Sequence, residues 1–170
     1  MSGMANSILD AAERRIRIGG FGGFSFRDIA AEVGVKSSSV HYHFPTKESL
    51  VAAVVRRYAT WVSSYMDKAI KAEPDPIKAW RKAFRNTLRT KKMCPCTVLG
   101  ASALDLPPEV AKEVQAFYEM CIAKMEAQGI KPDQATELLA ALTGALVVAN
   151  ALHDLDAYDR ATKDLLPAAA

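Results

Sequence analysis

Positions 37–47 read Ser-Ser-Ser-Val-His-Tyr-His-Phe-Pro-Thr-Lys. Ser37, Ser38 and Ser39 are short hydrogen-bonding groups that let a backbone approach base edges or phosphates closely. A solvated helix face leaves the cluster His41, Tyr42 and His43 unexplained, whereas phosphate contact accounts for it. A helix beginning at Thr46 and Lys47 presents unpaired amides and the positive end of its dipole, a favourable seat for a phosphate. A second reactive set is Cys94-Pro95-Cys96. Lys91 and Lys92 nearby, with a helix start at Thr97, would favour thiolate, although the more usual role of such cysteines is as small buried hydrophobes at a helix start. His153, Asp154 and Asp156 include metal-ligand types, but this pattern at a helix end usually serves capping and solvation. No metal or other cofactor is expected.

Catalysis finds no support. No nucleophile, base and orienting group are recognisable together, and the glycine-rich run Gly19 to Gly23 follows a helix rather than a strand, so it is no phosphate loop. The chain is expected not to be an enzyme. A helical protein-interaction module, indifferent to duplex DNA, is the other alternative.

These groups need a scaffold. Apolar residues recur at helical spacing, and no stretch alternates with period two between hairpin turns, so the fold class is all-α with about nine helices. The spacing predicts a first helix over 5–18, with Ile8, Leu9, Ala12, Ile16 and Ile18 on its apolar face and Arg14, Arg15 and Arg17 exposed. The glycines then impose a turn needing positive φ, with Phe21 and Phe24 plugging the core. Ser25 caps a second helix over 26–33. Gly34 stops it, a third helix runs 37–44, and Pro45 breaks that one. Thr46 caps a fourth helix reaching about 71, and Pro74 and Pro76 mark a turn. Further helices are expected over 77–90, 97–104, 108–128, 133–153 and 156–166, before an alanine tail expected to fray.

Two helices crossing steeply need a small residue at the crossing and a turn residue free of Cβ. Ala30, Gly34 and Val40 have that spacing, and Ile29, Val33, Val35 and Val40 would fill the interface. The pattern fits a helix-turn-helix whose second helix, 37–44, lies in a major groove, or an ordinary helical hairpin in a bundle. The exposed groups on 37–47 favour the first. Charge agrees in direction: residues 1–57 hold eight Lys/Arg against five Asp/Glu and residues 58–170 hold fourteen of each, so the net charge of +3 lies in the first third. Such an asymmetry fits a module for a polyanion.

No apolar run is read as approaching the roughly 20 residues that span a bilayer, and the N-terminus lacks the pattern of a secretory signal. A cytoplasmic location with no membrane partner is therefore expected. Cys94, Cys96 and Cys121 are too few and too unevenly placed for a disulfide framework.

The stretch Gly22 to Leu50, GGFSFRDIAAEVGVKSSSVHYHFPTKESL, resembles the N-terminal domain of TetR-type regulators, whose pattern ends in a Tyr/His-rich helix followed by Phe, Pro, Ser/Thr, Lys, Glu and Leu. The resemblance implies a helix-turn-helix DNA-binding domain over 1–46 and a helical effector-binding and dimerisation domain over 47–170. It implies that Phe44 packs the recognition helix on the first helix, that Arg27 and Ser37 to Ser39 face bases, and that Tyr42, His43 and Lys47 hold phosphates. Two positions depart from the family pattern. Lys36 stands where a capping Ser or Thr is usual, so the cap would move to Ser37 and take its hydroxyl from base contact, and His41 replaces the commoner Tyr. Both remain DNA-binding candidates.

The resemblance further implies a ligand-responsive homodimeric repressor, bound to a two-fold double-stranded DNA operator and released by a small organic or electrophilic effector. Leu138, Leu142, Ala145, Leu146, Ala149 and Leu152 are assigned to the dimer interface, with helix 156–166 as the second element of an intersubunit bundle. The alternative for helix 133–153 is a fully buried central helix. Trp61, Tyr65, Trp80, Phe84, Leu88, Phe117 and Met120, with Cys94 and Cys96, are effector-pocket candidates, and the same stripe would also serve as plain core. The segment KKMCPCTVLGASALDLPPEV resembles a subset of the family with Cys-x-Cys before Leu-Pro-Pro, which makes Cys94 or Cys96 a candidate reactive thiol.

Overall fold

The computed structural model describes residues 3–89 and 93–165. Lys91, Lys92 and the alanine tail lie outside the described residues, as does the expected end of the last helix. Among the described residues there are nine α-helices and no strand. They are α1 (Gly3–Gly19), α2 (Phe26–Val33), α3 (Ser37–His43), α4 (Lys47–Ala72), α5 (Pro76–Arg89), α6 (Pro95–Gly100), α7 (Pro108–Ala127), α8 (Pro132–Leu152) and α9 (Leu155–Thr162). Two compact units result, one made of Met1–Ala59 with Cys94–Phe117, the other of Thr60–Met93 with Tyr118–Ala170. The first half of α4, all of α6 and the first half of α7 join the N-terminal helices in the first unit.

In the first unit α1 is the central rod, packing on α2 and on α6. Its buried face is Ala5, Ile8, Leu9, Ala11, Ala12 and Ile16. Ile18 was expected on this face but is 86% exposed. At about 100° per residue it lies on the opposite side from Ile16. Arg17, expected in solvent, instead folds in to bond Glu13 (2.7 Å) with its guanidinium 5.1 Å from the centre of the Tyr58 ring. Gly20 takes φ 63°, opening a 3₁₀ turn over Phe21–Gly23 and burying Phe24. The expected helix over 97–104 breaks: α6 stops at Gly100, a residue of low helix propensity, and a separate 3₁₀ turn covers Ala103–Asp105.

In the second unit α8 packs on α5 and α9, and α5 packs on α9. The Asp75 carboxylate accepts from the Ile77 and Lys78 amides at the start of α5 (2.9 and 3.1 Å), while Asp154 accepts from Asp156 N–H (2.8 Å) to cap α9. A polar clamp ties α5 to α9: Arg85 grips both Asp159 oxygens, Arg81 Nε donates to Thr162 Oγ1 (2.8 Å), and Tyr158 donates to the Arg81 carbonyl (2.9 Å). α8, at 21 residues, is long and apolar enough to cross a membrane by length and composition alone, which corrects the reading that no such run exists. It carries Asp133 and Glu137 and buries one stripe against its neighbours, as the core helix of a bundle does.

Candidate nucleic-acid interface

Local chemistry sets the ends of α2 and α3. Ser25 and Asp28 form a capping box in which Asp28 N–H donates to Ser25 Oγ (3.3 Å) and Ser25 N–H to Asp28 Oδ2 (2.7 Å). These bonds, first the one with the Ser25 side chain, hold the Asp28 carboxyl below the usual carboxylate range. At the other end Gly34, at φ 77°, places its own N–H and that of Val35 on the Ala30 carbonyl. This is the left-handed stop that glycine adopts without penalty. The chain then turns into α3 with Lys36 as the N-cap. No side chain caps that end. The expected transfer of the cap to Ser37 does not occur, because Lys36 already supplies the flanking carbonyl, which accepts from Ser39 N–H (2.9 Å).

Within α3 only Val40 is buried, and Phe44 behind it is buried as well. Ser38, His41 and Tyr42 are exposed, Ser37, Ser39 and His43 half-buried. Tyr42, 84% exposed, meets the His43 ring edge-on at 5.2 Å, and His41 meets Phe26 of α2 at 4.6 Å. The helix is thus anchored through Val40 and Phe44, with Ser38, His41 and Tyr42 left in solvent and Ser37, Ser39 and His43 partly so.

Thr46 and Ser49 cap α4 reciprocally: Ser49 N–H donates to Thr46 Oγ1 (3.1 Å) and Thr46 N–H to Ser49 Oγ (3.3 Å). Lys47, expected to hold a phosphate, turns toward the glycine turn of its own chain. Its Nζ donates to the Phe24 carbonyl (2.6 Å) and stands 4.7 Å from the centres of both the Phe21 and Phe24 rings. Burial lowers its pKa below the ordinary lysine value. It therefore clasps the glycine turn to the start of α4, with two of its three N–H bonds left over.

The basic excess of the first third is largely consumed within the unit. Arg14 and Arg15 both bind Glu32 (2.9 and 2.8 Å), hydrogen bonds that lower the Glu32 pKa and tie α2 to α1. Arg57 pairs with Asp10 and Glu13, and Arg56 with Glu113. Arg27 and Lys36, exposed at the starts of α2 and α3, form no ion pair among the described residues. Glu32 was missed by sequence reasoning, because nothing in a single α2 glutamate signals partners 17 and 18 residues earlier.

The other predicted sets fare differently. Leu138, Leu142, Ala145, Leu146 and Ala149, expected at a dimer interface, are buried in the core of the chain itself. Of the six, Leu152 alone is exposed, at 61%, with Val147, Val148 and Leu155 as the other large apolar residues left in solvent on α8 and α9. Of the pocket candidates, Cys94, Cys96 and Phe117 belong to the first unit and Trp61, Tyr65, Trp80, Phe84, Leu88 and Met120 to the second. Trp80 is fully buried with its indole N–H on Gln128 (2.8 Å), a core role. Trp61 is exposed and stacks on Tyr65 (5.4 Å), whose hydroxyl accepts from Asn86 (3.1 Å).

Residues 8–54, which contain this constellation, match the family model described as bacterial regulatory proteins of the tetR family. The HTH-type transcriptional regulator EthR of Mycolicibacterium smegmatis is 27% identical over 119 residues, 69% of this chain and 55% of that protein. The chain thus spans little more than half the length of that relative. A TetR-family transcriptional regulator from Agrobacterium tumefaciens superposes with a TM-score of 0.83 at 27% identity, covering 94% of each chain. A TetR transcriptional regulator from Legionella pneumophila shares the fold with a TM-score of 0.85 at 23% identity, covering 97% of this chain and 96% of that one. Residues 8–54 thus carry the N-terminal module of the tetR family, on a fold shared with TetR-family regulators.

Proposed function

We propose that the protein is a cytoplasmic, sequence-specific DNA-binding transcriptional repressor that acts by binding rather than catalysis, as a homodimer on a two-fold operator. One observation carries the reading: α3 buries only Val40 and keeps Ser38, His41 and Tyr42 in solvent. A bundle hairpin would bury far more of such a helix. In this reading Arg27, Ser38 and Ser39 reach base edges, Tyr42 and His43 hold phosphates, and Lys36, Ser37 and His41 line the same surface. Lys47 contributes its remaining protons to a phosphate only in addition to its clasp.

Pairing uses the outward apolar face of α8 and α9, which brings two reading modules to two half-sites. A small organic effector, bound among the aromatic groups near Trp61 and Tyr65, then lowers DNA affinity by favouring a state with mismatched half-site spacing. The test is selection of duplexes from a random pool by the purified protein, followed by titration across salt. A selected two-fold sequence whose affinity falls linearly with log salt is expected. Recovery of no enriched sequence, or binding indifferent to salt, would overturn the reading.

A further inference from the structure

Helix α3, Ser37–His43, contains no lysine or arginine. Its only groups able to carry positive charge are His41 and His43, two of the three histidines in the chain, so whatever cationic character this helix presents depends on protons. Fixed positive charge beside it is largely engaged. Arg14 and Arg15 are bound to Glu32, Arg57 to Asp10 and Glu13, and the Lys47 ammonium to the Phe24 carbonyl. Arg27 and Lys36 are the fixed cations exposed at the starts of α2 and α3.

Imidazole is the side chain whose ordinary titration falls between pH 5 and pH 8. Both histidines lie in the last turn of α3, where orphan carbonyls and the negative end of the helix dipole favour a cation. No carboxylate holds that charge in the free protein. Among the described residues neither histidine forms an ion pair, and their close contacts are rings, Phe26 for His41 and Tyr42 for His43. The charged groups on the surrounding elements are positive or already engaged. On α2, Arg27 is a cation, Asp28 is bound by Ser25, and Glu32 is bound by Arg14 and Arg15. α3 begins at Lys36, and at the start of α4 the Glu48 charge acts on Lys47. The phosphates of a duplex would therefore be the strong anionic partners these rings lack. An imidazolium presents two N–H donors to them where the neutral ring has one.

We propose that duplex binding is coupled to proton uptake at His41 and His43, so that α3 becomes a cationic helix on DNA and affinity is set by pH. The proposal rests on the reading of the preceding section and adds regulation to that surface. Its sign follows from linkage. Phosphate beside a ring favours the charged form, so the DNA-bound protein carries more protons than the free protein over this range. The affinity gained is complete once pH lies below the titration of the free rings, and is lost as pH rises through that of the complex. Binding therefore strengthens on acidification from pH 8 to pH 6, and each proton taken up neutralises a further phosphate and releases counterions. Two other groups share the window. His153 is the C-cap of α8 in the second unit. The Cys94 thiol is raised by its burial but brought down to about 6 by hydrogen bonding led by Cys96. Assignment to α3 therefore needs histidine variants and a signal from the rings themselves.

The experiment follows the affinity of the full chain for a duplex it selects at pH 7, from pH 8 to pH 6 at constant ionic strength, and measures proton uptake by calorimetry in two buffers of different ionisation enthalpy. Affinity should rise at least about fivefold, with net uptake of protons on binding. The slope of log affinity against log salt should be steeper at pH 6 than at pH 8, by about one for each histidine charged. His41→Gln and His43→Gln keep a polar side chain that cannot titrate. Each should remove part of the pH dependence, and the double variant should flatten the profile. Where a variant folds poorly the parent still decides, because two of its three imidazole proton resonances should titrate at higher pH with duplex than without. An affinity independent of pH, uptake that persists in the folded double variant, or ring resonances unmoved by duplex would overturn the coupling alone. A chain that selects no duplex overturns the DNA reading and the coupling with it.

Discussion

Tyr42 and Lys47 stand five positions apart and invite the same role in sequence, yet their surroundings separate them. Tyr42 is held by little besides the edge of His43, so removing it touches no packing. We expect Tyr42→Ala to leave urea unfolding within about 0.5 kcal/mol of the parent and to weaken binding to all duplexes alike. Lys47 holds the Phe24 carbonyl and two ring faces, and its loss leaves that carbonyl without this donor. Because burial already penalises its charge, part of the gain is offset. Lys47→Ala should lower stability by about 1 kcal/mol as well as DNA affinity, and an unchanged unfolding midpoint would contradict the clasp. Cys94 supports a third measurement. Its folded pKa of about 6 lies below the ordinary 9.0, so the stability it brings is complete above the unfolded value and is lost as pH falls through about 6. The ultraviolet absorbance of thiolate should titrate near that point in the folded parent and vanish in Cys94→Ser.

Among the elements, those fixed by neighbours in sequence were legible in advance. The Ser25 box, the Gly34 stop and the Thr46 cap each involve bonds spanning five residues or fewer, so residue types alone announce them. Gly34→Ala isolates one such term: its added Cβ meets nothing within 4 Å, leaving only the left-handed backbone penalty of about 1–2 kcal/mol. Ser25→Ala should cost about 1 kcal/mol through the lost box. Both are read by chemical unfolding, and a neutral Gly34→Ala would mean that the turn relaxes to negative φ. What remained hidden depends on distant partners. Glu32 and Lys47 were illegible for that reason, Lys47 reaching back 23 residues to Phe24. The break of α6 was foreshadowed by Gly100, which the apolar spacing over 97–104 outweighed. For Ile18 and α8 the difficulty is register: an apolar residue on a helix announces burial, and periodicity does not say which of two apolar stripes meets its own subunit.

At the scale of the whole molecule the two stripes of α8 have different physical meanings. The inner one, with Leu138, Leu142 and Leu146, is consumed by the subunit's own core. The outer one ends in Val147, Val148 and Leu152, continued by Leu155 of α9, all of them large apolar residues left in solvent. In the proposed homodimer these exposed apolar residues form the pairing surface, and a two-fold arrangement lets the same residues serve on both copies. Substitution separates the roles. Leu138→Ala should destabilise the subunit by about 2–5 kcal/mol, as a core truncation does, at any protein concentration. Val148→Glu combined with Leu152→Glu should leave helix content intact, because each side chain is more than half exposed, and should convert the proposed dimer to a monomer in sedimentation. The monomer loses the second half-site's contribution through effective concentration, so its operator affinity should fall by more than about tenfold while binding to a single half-site is unchanged. A double variant that still sediments as a dimer would place the pairing surface elsewhere.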